Sequence, residues 1–140
     1  MKGYSNDLYI LAFDHRGTLT KGLLGVEGRP PSDEEAAKVS SMKDIIFDGF
    51  LEAQKNGIEG GDPAILVDET FGLQVQKKAK EMGIKYAAPV EKSGQKIFDF
   101  EYGDDFGEKI KEVDADFVKI LVRWNPSDES ETRQTQGERI

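Results

Sequence analysis

Four places in this chain bring together side chains able to do chemistry, and each lies just past an apolar run. Asp14, His15 and Arg16 close LYILAFDHRG (residues 8–17). Asp68 and Glu69 close AILVDETFG (64–72). Glu91 and Lys92 close KYAAPVEKSG (85–94), and FVKILVRWNP (117–126) holds Lys119 and Arg123. A carboxylate beside a guanidinium keeps its charge, and arginine clamps phosphates and carboxylates. His15, the one histidine, titrates near neutrality without help. The plain alternative for this trio is a structural Asp–Arg pair beside a solvent-facing histidine. Asp68 and Glu69 could bind Mg²⁺ or act as acid and base; equally, Asp68 could cap the following helix. Glu91 with Lys92 could bind an anion or polarise a carbonyl, or form a strand-end salt bridge. Lys119 lies between Phe-Val and Ile-Leu-Val. Desolvation there would lower its pKa and favour amine chemistry, imine formation included. The alternative is an ion pair with Asp14, Asp68 or Glu91.

Parallel strands covered on both faces read as apolar runs, with active groups past their carboxyl ends. Four such ends in 140 residues point to one shared site above a parallel sheet. Between them, residues 17–31 read as a Gly- and Pro-rich loop. Ser32 and Glu35 form a capping-box pair, and a helix is expected over 33–55 with Met42, Ile45, Ile46, Phe50 and Ala53 on its buried face. Asn56-Gly57 ends it, and Gly60-Gly61-Asp62-Pro63 turns into the second strand. A second helix is expected over about 72–82, with Val75, Ala79 and Met82 inward and Gly83 as its stop. Asp104 or Asp105 should cap a third, with Phe106, Ile110 and Val113 on one face. The order is βαβαβαβ, with room for the start of another helix after the fourth strand, and its crossovers are expected to be right-handed.

Strand parity favours a barrel half over a doubly wound sheet. Val118, Ile120 and Val122 alternate with Lys119, Leu121 and Arg123, while Leu11 and Phe13 alternate with Ala12, Asp14 and Arg16. A mid-strand lysine suits a barrel lumen better than an open-sheet core, where an unpaired charge costs several kcal/mol. The expected fold is α/β, a parallel (βα)4 half of a (βα)8 barrel over residues 1–126. Residues 127–140 are expected to be an exposed or frayed polar tail, since one apolar residue in fourteen cannot bury a helix face.

Composition narrows the function classes. The chain has no cysteine, so disulfide and thiolate chemistry are excluded. A net charge of −8 and a pI near 4.7 oppose nucleic-acid or anionic-membrane binding. No apolar stretch approaches the ~20 residues of a membrane span, and MKGYSND is too polar for a signal peptide. The expected location is a reducing cytoplasm.

Taken in order and spacing, AFDHRG, VDETFG, VEKSGQKIFDFEYGDDF and FVKILVRWNP resemble class I aldolases of the tagatose-bisphosphate aldolase type. They are most similar to the uncharacterised aldolase-like domain found alone or fused to 5-dehydro-2-deoxygluconokinase in myo-inositol catabolism. The resemblance covers residues 8 to about 126. It implies a barrel that works through a lysine imine, with no metal and no cofactor. The implied substrate is a phosphorylated keto-sugar such as 2-deoxy-5-keto-gluconate 6-phosphate, cleaved to dihydroxyacetone phosphate and malonate semialdehyde. By position Asp14 matches the strand-end aspartate of the substrate site, and His15 stands where the tagatose enzymes carry glutamine. Lys119 matches the fourth-strand lysine that contacts substrate. The imine lysine of those enzymes lies on a sixth strand, and their phosphate site lies near the last strands. Only four strands are legible here, so the chain is expected to be inactive alone and to need a second half-barrel or another copy of itself. Asp14, Lys119 and Glu91 are the expected catalytic residues; His15, Arg16, Asp68, Glu69, Lys92 and Arg123 are expected to bind substrate.

FDHRGTLT also resembles the first motif of haloacid-dehalogenase-type phosphatases, with Asp14 as nucleophile. Arg16, however, stands where that motif needs its acid/base aspartate, and a guanidinium cannot take that role. A phosphosugar-binding half-barrel without catalysis is the other alternative. A phospho-receiver-like use of Asp14 and Asp68 fits less well, because the run around Lys119 continues into Arg123-Trp124.

Overall fold

The computed structural model describes residues 3–57 and 61–140. Strands β1 (Leu8–Ala12), β2 (Asp62–Leu66), β3 (Lys85–Pro89) and β4 (Phe117–Lys119) form one parallel sheet in the order β1-β2-β3-β4. Each apolar run supplies one strand. Sequential order with right-handed crossovers puts every connecting helix on the same face. That is the arrangement expected of a barrel half; doubly wound sheets reverse their strand order instead. Four strands do not close a barrel, and β1 and β4 are the sheet's two edges.

Helix α1 (Gly17–Leu24) corrects the loop expected over 17–31. Its two glycines give it weak propensity. Burial of Thr20 and Val26 and a left-handed Gly25 that returns its N–H to Lys21 hold it in place. Helix α2 (Asp33–Lys55) opens with the Ser32–Glu35 capping box and ends at Asn56, as the sequence indicates. Its buried face differs from expectation. Val39, Lys43, Phe47 and Phe50 are inward, while Ile45 and Ile46 are exposed. A lysine in the middle of the true stripe disguised it. The Gly60 end of the expected turn into β2 lies outside the described residues.

Helix α3 (Glu69–Glu81) starts one turn earlier than expected because Asp68 caps it, accepting from the Phe71 N–H. Val75 and Ala79 are buried, but Met82 is exposed. Gly72 lies so close to Val67 that a Cβ would collide with its side chain. Helix α4 (Phe106–Val113) follows a 3-10 turn (Gly103–Asp105); Asp105 stands at its N-cap without a side-chain bond. The core lies between the sheet and α2–α3: Phe13, Phe47, Phe50, Ile65, Val67, Val75, Ala79, Ile84 and Tyr86.

The tail is exposed over most of its length, as expected, and it is helical. Ser130–Arg139 form α5. Most of it is exposed, but Gln136 is buried. Its amide accepts from the Phe98 N–H at 2.7 Å and donates to the Arg123 carbonyl at 3.0 Å. The helix is therefore docked by side-chain amide bonds and needs no apolar stripe. No helix among the described residues is long and apolar enough to cross a membrane.

Candidate functional site

The carboxyl ends of β1, β3 and β4 converge on Lys119. Its Nζ donates to Asp14 Oδ2 at 2.8 Å and to Glu91 Oε1 at 2.7 Å. Strand alternation makes this meeting possible. Phe13 packs into the core, so Asp14 points to the opposite face. Val118 lines the crevice under α4 with Ile110 and Val113, so Lys119 points the same way as Asp14. The parity read from β1 and β4 holds at these positions. It cannot be followed through Arg123, because only Phe117–Lys119 are strand.

Glu91 is held from two sides. The segment after β3 folds back on itself, with Glu91 bridged to Phe100, Lys92 N–H on the Asp99 carbonyl and Glu101 N–H on the Val90 carbonyl. Arg16 donates to the Glu91 carbonyl at 2.9 Å and lies 3.6 Å from Oε1, while its other nitrogen reaches Glu101 at 3.3 Å. Glu91 Oε2 is buried and has no hydrogen-bond partner. A buried carboxylate oxygen without a donor is costly. The side chains of Lys119 and Asp14 keep 28% and 20% of their exposure, enough for a ligand to reach them.

Of the two readings of Lys119, a desolvated amine or an ion pair, the structure shows the ion pair, with Asp14 and Glu91 as partners. Burial alone pushes its pKa down, but the hydrogen bonds it donates to Asp14 and Glu91, with the charges of those carboxylates, outweigh it, and the net shift is upward. At neutral pH the group is an ammonium. The cluster holds three carboxylates (Asp14, Glu91, Glu101) against two cations (Arg16, Lys119), so it is not a phosphate pocket. It suits hydroxyl and carbonyl groups.

The second strand end does not join this site. Asp68 is buried and bound by Lys43, itself fully buried, whose Nζ also donates to the Phe13 carbonyl at 2.7 Å. Asp68 thus takes the capping role that the sequence offered as its alternative, pairs with Lys43, and does not join the Lys119 cluster. Glu69 turns toward α4, beside Lys109 and Tyr102 in the wall of a crevice away from Lys119. Partial burial raises its pKa. His15 and Lys92 are exposed, and among the described residues neither side chain hydrogen-bonds to the cluster. Arg123 is exposed and donates to the Gln95 carbonyl at 3.3 Å. No group of three His, Asp or Glu with metal-binding spacing occurs among the described residues.

Three functional neighbours escaped sequence reasoning. Glu101 sits inside the FDFEYG segment, whose fold-back could not be read from its pattern. Lys43 occupies a core-facing position four residues after Val39 and four before Phe47, and that spacing was the available signal. Gln136 holds the site loop at Phe98, assisted by Arg139 on the Phe98 carbonyl; nothing in the polar tail announced it.

No curated protein and no solved structure matches the chain. One family matches its whole length, residues 1–140, under the description "Uncharacterized protein conserved in bacteria". Strands, site loop and terminal helix all fall within that match, and the chain belongs to this bacterial family, DUF2090.

Proposed function

We propose that the chain carries the substrate-orienting and proton-handling part of a class I aldolase-type site, acting on a phosphorylated keto-sugar such as 2-deoxy-5-keto-gluconate 6-phosphate. The observation that carries this reading is the Lys119 ammonium fixed between Asp14 and Glu91. Retro-aldol cleavage breaks the Cα–Cβ bond of a β-hydroxy ketone: the hydroxyl on Cβ loses its proton and becomes a carbonyl, and the bonding electrons pass to Cα and into the ketone, which takes them up as an enolate, or as an enamine where an imine has formed. Asp14, whose side chain keeps 20% of its exposure, is the carboxylate placed to accept that hydroxyl proton; Glu91, buried, fixes the Lys119 ammonium beside it. Lys119 holds the neighbouring oxygens in register, which is where positioning lowers the barrier. The resemblance places the imine lysine on a sixth strand. Lys119, kept protonated, is assigned the role of cation and hydrogen-bond donor, not imine former. The reading also accounts for Arg16, which steadies Glu91 and leaves no acid/base aspartate for phosphatase chemistry. Sequential strand order and the sealed Asp68 likewise fit neither the phosphatase nor the receiver alternative.

The test pairs binding with trapping. Titration with dihydroxyacetone phosphate, followed by NMR, should perturb residues around Asp14, Glu91 and Lys119. Lys119→Met and Glu91→Gln should each weaken binding about tenfold or more. Borohydride treatment of the mixture should leave Lys119 unmodified by intact mass and peptide mapping. Equal binding by the variants, or a trapped adduct on Lys119, would overturn the assignment. Binding without turnover of the intact keto-sugar phosphate by any assembly of the chain would favour the non-catalytic phosphosugar-binding alternative.

A further inference from the structure

Helices α2 and α3 pack against each other, whereas α3 and α4 stand apart. An open groove of about 520 Å³ runs between them, a volume within the range of small-molecule sites. The two helices flank the inner strand β3, so the groove owes nothing to the edges of the sheet. It opens on the helix-covered face. The crevice beside it reaches Val118, which alternates with Lys119 along β4 and points away from that cluster.

The side of α3 that faces α4 is polar. Thr70, Leu73, Lys77 and Lys80 recur three and four residues apart, on one stripe of the helix, and line the groove. A stripe meant to pack on a neighbouring helix is apolar, and of these four only Leu73 is. The floor is polar as well. Gln76 is 3% exposed, and its amide nitrogen donates to the Val67 carbonyl at 3.0 Å. That bond fixes its side-chain oxygen as an acceptor, and among the described residues nothing donates to it. The oxygen is not one of the sealed polar atoms of the structure, so a molecule in the groove can reach it. Beside it the Tyr86 hydroxyl donates to the Val113 carbonyl and keeps its oxygen as an acceptor.

The rim is cationic. In a chain of net charge −8 the lining carries Lys77, Lys80 and Lys109 against Glu69 and Glu112, a local excess of positive charge. Lys109 holds Glu112 at 3.0 Å, so that carboxylate is neutralised. Glu69 lies two helical turns from Lys77, ~12 Å along α3. Lys80 is paired with Asp114, while Lys77 has no ion pair among the described residues. Leu73 and Tyr102, both exposed, offer apolar faces to a carbon skeleton.

We propose that this groove is a second binding site, which takes a small hydroxylated anion, with its hydroxyls donating to Gln76 and Tyr86 and its anionic group on Lys77 and Lys80. Acceptors on the floor select hydroxyls, and lysines on the rim select the charge. The site lies across the sheet from Lys119 and stands apart from the aldolase-type reading. The plain alternative is that these lysines only offset the dipole at the end of α3 and the groove holds water.

The experiment is an NMR titration of the whole chain with three probes: glycerol 3-phosphate, propyl phosphate, which keeps the charge without the hydroxyls, and glycerol, which keeps the hydroxyls without the charge. Glycerol 3-phosphate should shift residues 70–80, 86 and 109–113, and should bind about tenfold or more tighter than either of the others. Lys77→Glu should weaken it about tenfold or more, and Thr70→Trp, which fills the groove, should weaken it too. Both positions are exposed and outside the Lys119 cluster. Shifts absent from the groove overturn the proposal. So does propyl phosphate binding as tightly as glycerol 3-phosphate, which would mean lysines attracting any anion, and so does unchanged binding by Lys77→Glu. If a variant does not fold, the ranking of the three probes on the wild type decides.

Discussion

Removing the charge of Lys43 should damage this protein more than any change at the visible site. Its ammonium is fully buried and bound to Asp68 and the Phe13 carbonyl. In Lys43→Met the volume is nearly kept, but Asp68 is left as a buried carboxylate without its cation. Breaking a buried pair from one side costs about 3–5 kcal/mol, out of a total stability of about 5–15 kcal/mol. The midpoint of thermal unfolding should fall on the order of 10 °C. Asp68→Asn isolates the charge from the cap, because asparagine also caps helices well; it should cost a similar amount by stranding Lys43. In the double variant both charges are gone, and the main debt is the unpaired Phe13 carbonyl, about 1–3 kcal/mol. The two single losses together should therefore exceed the double loss by about 3 kcal/mol or more. Urea unfolding of the four proteins, with the slope checked for constancy, reads this directly. Additive losses, or a Lys43→Met cost below about 1 kcal/mol, would refute the claim that this pair pins β1 to α2 and α3. Lys43→Met should also weaken dihydroxyacetone phosphate binding, since Asp14 follows the residue whose carbonyl it releases.

Other consequences can be measured on the same preparations. Lys119 has its pKa raised above the ordinary 10.5, so its stabilising contribution is whole below that pH and fades as pH climbs through the raised value; the stability gap between wild type and Lys119→Met should shrink in that range, and a constant gap would contradict it. Glu35 is the opposite case. Hydrogen bonds from Arg29, then from the Ser32 N–H, hold it at about 2 instead of 4.5, so its contribution is present above 4.5 and lost toward 2. The gap to Glu35→Gln, followed by circular dichroism in acid, should close over that window and not above it. Gln136→Ala strands the buried Phe98 N–H and should cost about 1–3 kcal/mol, with faster hydrogen exchange in residues 93–101; unchanged exchange there would show that α5 does not hold the loop.

The strands were legible because each is an apolar run ended by charge, and burial by helices requires that pattern. The capping box and Asn56-Gly57 were legible because they are local hydrogen-bond chemistry. What escaped was polar structure inside apolar surroundings. The α2 stripe was misplaced because Lys43 interrupts it, and the apolar positions chosen instead, Ile46 and Ala53, are those beside the open β1 edge. The hydrophobic pattern thus recorded two apolar stripes on one helix, and none of the described residues covers the second. Helix α5 went unseen for the complementary reason: side-chain amides dock it, and hydrophobic periodicity cannot register them. At the site, parity was enough to bring Asp14 and Lys119 to the same face. The separation of Asp68 from them depended on Lys43, thirty residues from the carbonyl it binds.

The lysine itself shows why residue type and flanks are insufficient to assign chemistry. Phe-Val and Ile-Leu-Val around Lys119 imply desolvation, and desolvation favours a neutral amine. The fold supplies what the flanks do not, two carboxylates within hydrogen-bond distance from strands β1 and β3. Their combined effect exceeds that of burial, and the sign of the shift reverses. An imine former must lose its proton before it attacks a carbonyl; this lysine is held in the state that cannot. The same two carboxylates make it a fixed cation whose position depends on both strand ends. Neutralising either one should therefore lower its pKa, Glu91→Gln and Asp14→Asn in parallel. Labelling of Lys119 by an amine-selective reagent as a function of pH measures this, each variant reacting at lower pH than wild type. Equal profiles would mean that the carboxylates do not govern the amine, and the case against imine formation at Lys119 would fall with them.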